Sequence, residues 1–252
     1  MTHSEYQYNY TENAVAKVNM YDEAGRQQKA DKIIAVLRDY FGNLDELSLL
    51  DMSCSTGMMT NAFSPVFGKV YGIDIDQSAV EFAKTHHRAK NIEFHTMDAL
   101  STSFPDNHFN VIICNQMYEH VPNPQQLMRE IYRLLAPNGV CYFGATSRLK
   151  VIETHYGKLP FLSYLPKPLA HMYLRVLGKG DYYYETLYTY WGLKRLVADF
   201  DLIDYTVKVI AEPEKFHLTD MVRSHTLKQR LALAMLRVAY VFLPGYIWLL
   251  KK

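Results

Sequence analysis

Short apolar runs alternate with helix-compatible segments through the middle of this chain. In the segment 124–136, Leu127, Ile131 and Leu134 recur at helical spacing, and Pro137 then stops the helix. The apolar runs occupy residues 47–53, 69–75, 91–97, 109–115 and 139–145. Strands that alternate with helices are typical of a parallel sheet covered on both faces. The pattern therefore predicts an α/β fold.

The flanking sequence extends this pattern in both directions. Helical periodicity predicts helices over 21–41, 189–200 and 224–243, and apolar runs predict strands over 201–210 and 246–252. A chain of 252 residues, 49% of them hydrophobic, can bury one core of this size, so we expect a single domain. Its expected parts are an N-terminal helical segment (1–46), a core (47–146), an insertion (147–188) and C-terminal helices with closing strands (189–252).

Composition restricts the partners and the compartment. Lysine and arginine number 27 and aspartate and glutamate 26, which excludes the basic field of a general nucleic-acid binder. Cys54, Cys114 and Cys141 lie in apolar contexts without CxxC spacing, so we expect reduced core thiols and no metal site. Residues 1–10 are polar and lack the features of a secretory signal. These observations predict a cytoplasmic protein.

Small residues follow the first predicted strand, where the backbone can approach a ligand closely. The segment contains Asp51, Ser53, Ser55 and Gly57 at alternate positions. It resembles the D-x-G-x-G-x-G pattern of class I S-adenosylmethionine-dependent methyltransferases. Two serines replace glycines of that pattern, and a serine at a position that requires positive φ is strained by about 1 kcal/mol.

The resemblance assigns roles to these residues and to three more side chains. Asp74, at the end of the second predicted strand, would hold the ribose of S-adenosylmethionine, Asp98 would lie beside the adenine amino group, and Asn115 would border the methionine portion and the methyl group. The segment 123–140 is similar to the ubiquinone and menaquinone methyltransferase-like branch. The family fold is a Rossmann-like seven-stranded sheet with helices on both faces and an antiparallel last strand.

Two other functions fit parts of this pattern. A nicotinamide-dependent oxidoreductase would need a small residue at position 58, where this chain has Met58. A non-catalytic binding module with the methyltransferase fold is supported by the two serines alone. His120 follows the fourth predicted strand and is a candidate general base for the acceptor. Alternatively, His120 ties that strand to the next helix by hydrogen bonds.

The insertion 147–188 interrupts the alternation and mixes aromatic, apolar and basic residues. We expect it to form a lid over the crevice and to present Lys167 and Arg175 to an amphipathic or anionic partner, or else to pack as a helix pair on the core. This composition favours a small or lipid-linked acceptor, methylated on oxygen, nitrogen or carbon, and a peripheral membrane contact. The apolar stretch 231–250 is interrupted by Arg237 and Pro244, which argues against a membrane-spanning helix.

Overall fold

The computed structural model describes residues 22–219 and 222–252. Its strands are β1 (Ser48–Asp51), β2 (Lys69–Asp74), β3 (Ile92–Thr96), β4 (Phe109–Asn115), β5 (Leu135–Thr146), β6 (Ile152–Glu153), β7 (Leu159–Pro160), β8 (Asp201–Asp204) and β9 (Gly245–Lys251). Its α-helices are α1 (Glu23–Phe41), α2 (Met58–Phe63), α3 (Gln77–His86), α4 (Pro124–Leu134), α5 (Lys167–Val176), α6 (Tyr190–Leu196), α7 (Thr206–Ala211) and α8 (Leu227–Ala239). Two 3-10 turns cover Leu162–Tyr164 and Tyr240–Phe242.

A seven-stranded sheet in the order β3-β2-β1-β4-β5-β9-β8 forms the centre of the molecule. The five strands from β3 to β5 are parallel, whereas β9 runs antiparallel to both β5 and β8. The last strand is buried between its two neighbours, with Trp248 and Leu249 fully shielded from solvent. The predicted α/β fold with an antiparallel last strand is therefore confirmed.

Hydrophobic cores lie on both faces of the sheet because successive strand residues point in opposite directions. Leu50 of β1 belongs to the core that contains Leu127 of α4 and Leu193 of α6. Its neighbour Leu49 belongs to the opposite core, which contains Ile33 of α1. Strands covered on both faces are continuously apolar, which explains why the sequence identified them.

The strand predicted over 201–210 is wrong in its second half. β8 ends at Asp204, and α7 begins at Thr206. The carboxylate of Asp204 accepts a hydrogen bond of 2.8 Å from the backbone amide of Thr206, which turns the chain into the helix. Val209 is a β-branched residue that promotes strand predictions, but here it lies on the buried face of α7.

The terminal helices are close to their predicted positions. α1 begins at Glu23, where Asp22 accepts a hydrogen bond of 3.0 Å from the amide of Gly25; the predicted first residue, Tyr21, lies outside the described residues. α8 begins after Thr226, whose hydroxyl oxygen accepts a hydrogen bond from the amide of Gln229 at 3.2 Å.

Among residues 22–219 and 222–252, no helix is both long and apolar enough to cross a membrane.

The insertion forms a small unit with its own core. It contains the β6–β7 hairpin and α5, and Leu162, Ala170 and Leu174 are buried within it. The insertion begins at the carboxyl end of β5 and packs against the segment that follows β4, where the amide of Thr186 donates to the carbonyl of Glu119 at 2.9 Å. It therefore borders the carboxyl edge of the parallel strands, which is where open α/β sheets bind ligands.

Candidate functional site

Asp51 holds the turn between β1 and α2 in place through hydrogen bonds of its carboxylate. This residue is buried, and its carboxylate accepts hydrogen bonds from the Thr60 hydroxyl at 2.7 Å and from the Ser53 amide at 3.4 Å. Burial raises the pKa of Asp51 to about 6. Because its oxygens face the protein's own groups, Asp51 positions the turn rather than lying open to the crevice.

Ser55 and Gly57 give the turn its left-handed backbone. Ser55 has a φ of +50° and Gly57 a φ of +76°. A Cβ on Gly57 would lie 2.8 Å from the Cβ of Ala83 and 2.8 Å from the ring of Phe94, so only glycine fits there. Ser55 is the replaced glycine that adopts positive φ, a conformation that costs a residue with a side chain about 1 kcal/mol or more.

Asp74 ends β2 beside this turn. Its Oδ2 accepts a hydrogen bond of 2.8 Å from the amide of Ser55, and its Oδ1 accepts one of 3.0 Å from the amide of Asp76. Burial raises the pKa of Asp74 despite these two donors. Each carboxylate oxygen has a further lone pair, so Asp74 retains the capacity to accept two hydroxyl groups of a ligand.

The hydroxyl of Ser55 adds a polar group to the same place. Its Oγ is buried and has no hydrogen-bond partner among the residues that the structure describes. Buried polar atoms are usually satisfied, so an unsatisfied hydroxyl beside the Asp74 carboxylate is consistent with a polar ligand in the turn.

Asp98 and Asn115 mark the ends of two other strands. Asp98 is exposed after β3, and its carboxylate accepts from the Leu100 amide at 2.8 Å. Asn115 ends β4 against β5, and a Cβ on Gly144 would lie 2.0 Å from Asn115 Oδ1. Gln116 then takes a φ of +54°, so the chain turns sharply at the carboxyl edge. The predicted residues thus occupy neighbouring strand ends, with Asp98 at the most open position.

His120 lies where the insertion meets the segment after β4. Its Nδ1 is 3.7 Å from Oε1 of Glu185, and its ring centroid is 4.9 Å from that of His155. Both neighbours belong to the insertion, which connects distant parts of the sequence at this point. The predicted base therefore has an acid and a second imidazole beside it.

Glu153 is a buried acid that pairs with both Lys150 and His155. Its Oε1 accepts hydrogen bonds from Lys150 Nζ and His155 Nδ1, both at 2.6 Å, and its Oε2 accepts from the Tyr183 hydroxyl at 2.8 Å. Burial opposes ionisation of Glu153, but the His155 bond and the nearby positive charges hold its pKa at about 2. Burial also opposes the charge on His155, yet its bond to Glu153 raises the pKa of the imidazole.

Glu119 and Glu185 are two further buried acids near His120. They are 0% and 1% exposed, and within 22–219 and 222–252 the carboxylate oxygens of Glu185 have no hydrogen-bond partner. Burial raises the pKa of Glu119 to about 7. Glu185 was not identified from the sequence because only the folded insertion brings it to His120.

In the described part of the chain, no group of three or more His, Cys, Asp or Glu residues could hold a metal ion.

Lys167 is exposed at the start of α5, and its ammonium is also bonded to the protein's own backbone. Its ammonium donates hydrogen bonds to the carbonyl oxygens of Tyr183 at 2.9 Å and Tyr184 at 3.0 Å. It also donates to the carbonyl oxygen of Glu185. Burial lowers the pKa of Lys167. The segment 183–185 thus supplies three carbonyl acceptors for this ammonium, and contact of Lys167 with an anionic partner stays a prediction. Arg175 is exposed on α5, as the prediction requires.

Residues 50–143 match the family model described as a methyltransferase domain. This range contains all the predicted cofactor residues, from Asp51 to Asn115. This part of the chain is similar to methyltransferase domains. The matched range runs from the end of β1 into β5, so the parallel part of the sheet and its carboxyl edge carry the family signature.

Curated methyltransferases are similar over this domain. The malonyl-[acyl-carrier protein] O-methyltransferase of Bacillus cereus is 26% identical over 139 residues, which are 54% of this chain and 51% of that protein. The ubiquinone biosynthesis O-methyltransferase of Pseudomonas putida is 32% identical over 104 residues, which are 40% of this chain and 44% of that protein. The chain thus spans about half the length of the curated relatives it matches.

Solved structures share the fold over most of the chain. The plantazolicin methyltransferase BpumL, in complex with a monoazolic desmethylPZN analog and SAH, aligns with a TM-score of 0.61 and 17% identity over 99% of this chain and 95% of that one. A geranyl diphosphate methyltransferase in complex with SAM aligns with a TM-score of 0.51 and 16% identity, over 88% and 84% of the two chains. At these identities, the likeness shows a methyltransferase fold that includes the C-terminal strands.

Proposed function

We propose that this chain transfers a methyl group from S-adenosylmethionine to a small or lipid-linked acceptor. The observation that carries the proposal is the pairing of the strained turn with Asp74, because Ser55 brings its amide to the carboxylate at the crevice edge. The curated relatives, named as O-methyltransferases of ubiquinone biosynthesis and of malonyl-[acyl-carrier protein], support both the reaction and the acceptor classes.

The residues of the cofactor site fit S-adenosylmethionine. Gly57 and the small residues before it let the backbone approach the ligand, and Asp74 can accept hydrogen bonds from both ribose hydroxyls. The unsatisfied hydroxyl of Ser55 provides another polar contact. In this proposal Asp98 would accept a hydrogen bond from the adenine amino group, and Asn115 would border the methionine portion. Asp51 supports these residues by holding the turn.

The bound cofactor would supply an already activated methyl group on a sulfonium. The protein's main contribution is then to align the acceptor and to exclude water, an effect of about 7–11 kcal/mol for well-oriented reactants. A hydroxyl or amine acceptor must also lose a proton. We assign that proton to Nε2 of His120, since its Nδ1 faces Glu185 at 3.7 Å. Glu185 is then a positioning residue that favours a proton on Nδ1.

The surroundings of His120 favour an acceptor with hydrogen-bond donors. The carboxylate of Glu185 is buried without a hydrogen-bond donor among the described residues, and a hydroxyl or amine would partly compensate it. The insertion would cover this acceptor as a lid. Its surface exposes Phe161, Met172 and Val176, the last two on the same helix as Arg175, which supports a peripheral membrane contact of the insertion.

Transfer of a labelled methyl group tests this proposal. The full chain and labelled S-adenosylmethionine are incubated with phenolic, amine and prenylated acceptors, with and without lipid vesicles. We expect label in an acceptor, and a preference for those bearing a hydroxyl or amine. Cofactor binding without transfer to any acceptor class would favour the alternative, a non-catalytic module with this fold. An Asp74→Asn variant serves as the control for transfer that depends on the site.

A further inference from the structure

Helix α8 exposes an apolar stripe to solvent. The stripe has four residues on α8 and a fifth on the 3-10 turn that follows. They are between 56% and 89% exposed: Leu227, Leu231, Met235, Val238 and Phe242. At about 100° per residue, the four on α8 lie within an arc of about 80° on one side of the helix. A surface helix ordinarily keeps its solvent side polar, but α8 exposes this stripe in addition to burying Leu236 on its inner side.

The orientation of α8 is fixed by a buried polar residue on the opposite side. Gln229 is 7% exposed, and its amide donates to the carbonyls of Ile210 and Ala211 at 3.1 and 2.9 Å. Its side-chain oxygen accepts from the His225 amide at 2.8 Å. Rotating α8 to bury the stripe would break the two bonds to the carbonyls of Ile210 and Ala211 and leave the glutamine amide unsatisfied. The exposed stripe is therefore held outward by the fold.

Basic residues border the stripe on both sides. By helical position, Lys228 lies at one border, and Arg230 and Arg237 lie at the other. From residue 222 to residue 252 the sequence contains no aspartate or glutamate, whereas the whole chain has a net charge of only +1. The positive charge is thus concentrated in the region that displays the apolar stripe.

We propose that α8 is a membrane-docking helix that lies in the plane of an anionic lipid surface. Its stripe would enter the boundary between headgroups and acyl chains, while the bordering lysine and arginines meet the phosphates. A second copy of this chain fits less well, because the basic borders of two stripes would repel each other. The inference goes beyond the proposed methyl transfer, because binding to lipid requires neither cofactor nor acceptor.

Vesicle co-sedimentation of the full chain tests the proposal. We expect binding to vesicles of phosphatidylcholine with phosphatidylserine, weaker binding to phosphatidylcholine alone, and a loss of binding as salt is raised. The double variant Leu231→Ser with Val238→Ser should bind the anionic vesicles at least about tenfold more weakly. Arg230→Glu with Arg237→Glu should lose a similar factor. Val207→Ser, at an exposed aliphatic residue of α7, is the matched control and should bind as the parent does.

Thermal unfolding checks that each variant is folded, so a loss of binding can be assigned to the surface. Vesicle binding that both α8 double variants leave unchanged would overturn the proposal. It would also be overturned if substitution of Met172 and Val176 in the insertion, but not of α8, removed binding. Failure to bind vesicles, together with self-association that the Leu231→Ser and Val238→Ser variant abolishes, would instead identify the stripe as a protein interface.

Discussion

The backbone amide of Ser55 donates a 2.8 Å hydrogen bond to Oδ2 of Asp74, and this bond ties the turn after β1 to the end of β2. The amide points at the carboxylate because Ser55 adopts a left-handed conformation, with a φ of +50°. Local strain and a partly buried carboxylate are thus combined at the carboxyl edge of the sheet. Such strain is typical of ligand sites, where the surrounding structure maintains it.

Asp74→Ala is predicted to weaken binding of S-adenosylmethionine while leaving the fold intact. Charge-assisted hydrogen bonds contribute about 1.5–3 kcal/mol each, so the dissociation constant should rise by at least about tenfold. Calorimetric titration of the folded variant measures this change. Asp74→Asn retains the shape without the charge and should fall between the parent and the alanine variant. A parental dissociation constant in Asp74→Ala would mean that the ribose is held elsewhere.

Gly57→Ala is predicted to destabilise the fold by about 2–5 kcal/mol. The substitution adds the cost of positive φ to a steric clash, because its Cβ would lie 2.8 Å from atoms of Ala83 and Phe94. Gly178→Ala is the matched control, since Gly178 also has positive φ but no atom within 4 Å of an added Cβ. It should cost only about 1–2 kcal/mol in denaturant unfolding. Equal costs for the two variants would contradict the packing described for the turn.

The sequence predicted those features that depend on neighbouring residues. Continuous apolar runs identified strands such as Phe109–Asn115, because a central strand is buried on both faces, and the small residues around Ser55 marked the turn. The end of β8 was mispredicted because the bond between Asp204 and Thr206 overrides the β propensity of the valines that follow. The approach of Glu185 to His120 was not predictable, since it depends on how a 42-residue insertion, 147–188, folds back.

The burial of Glu119 is predicted to make the folded protein less stable as the pH rises. Its pKa is raised from 4.5 to about 7 in the folded state, so the folded protein binds more protons than the unfolded chain between these values. Stability should fall across this window, and Glu119→Gln should remove that contribution. The difference in melting temperature should therefore change in favour of the glutamine variant as the pH rises through the window, and stay constant above it. A constant difference at all pH values would show that the carboxyl group does not titrate there.

His120→Ala is predicted to slow methyl transfer by about 10²–10⁴-fold while leaving cofactor affinity unchanged. The reason is that His120 would accept the acceptor's proton and not contact the cofactor. Glu185→Gln should reduce kcat more than it changes KM, and should alter the pH dependence of kcat, because the acid acts through His120. His86→Ala, at a histidine on α3, is the control and should retain parental rates. A parental rate in folded His120→Ala would leave this histidine a structural link between β4 and α4.

Calorimetry of the full chain with S-adenosylmethionine and, separately, with NAD tests the central claim most directly. The spacing of Ser53, Ser55 and Gly57 in front of Asp74 places small residues for a methyltransferase cofactor, whereas Met58 occupies the position where a dinucleotide fold needs a small residue. We predict saturable binding of S-adenosylmethionine at one site per chain and no binding of NAD. Binding of NAD without binding of S-adenosylmethionine would contradict the account.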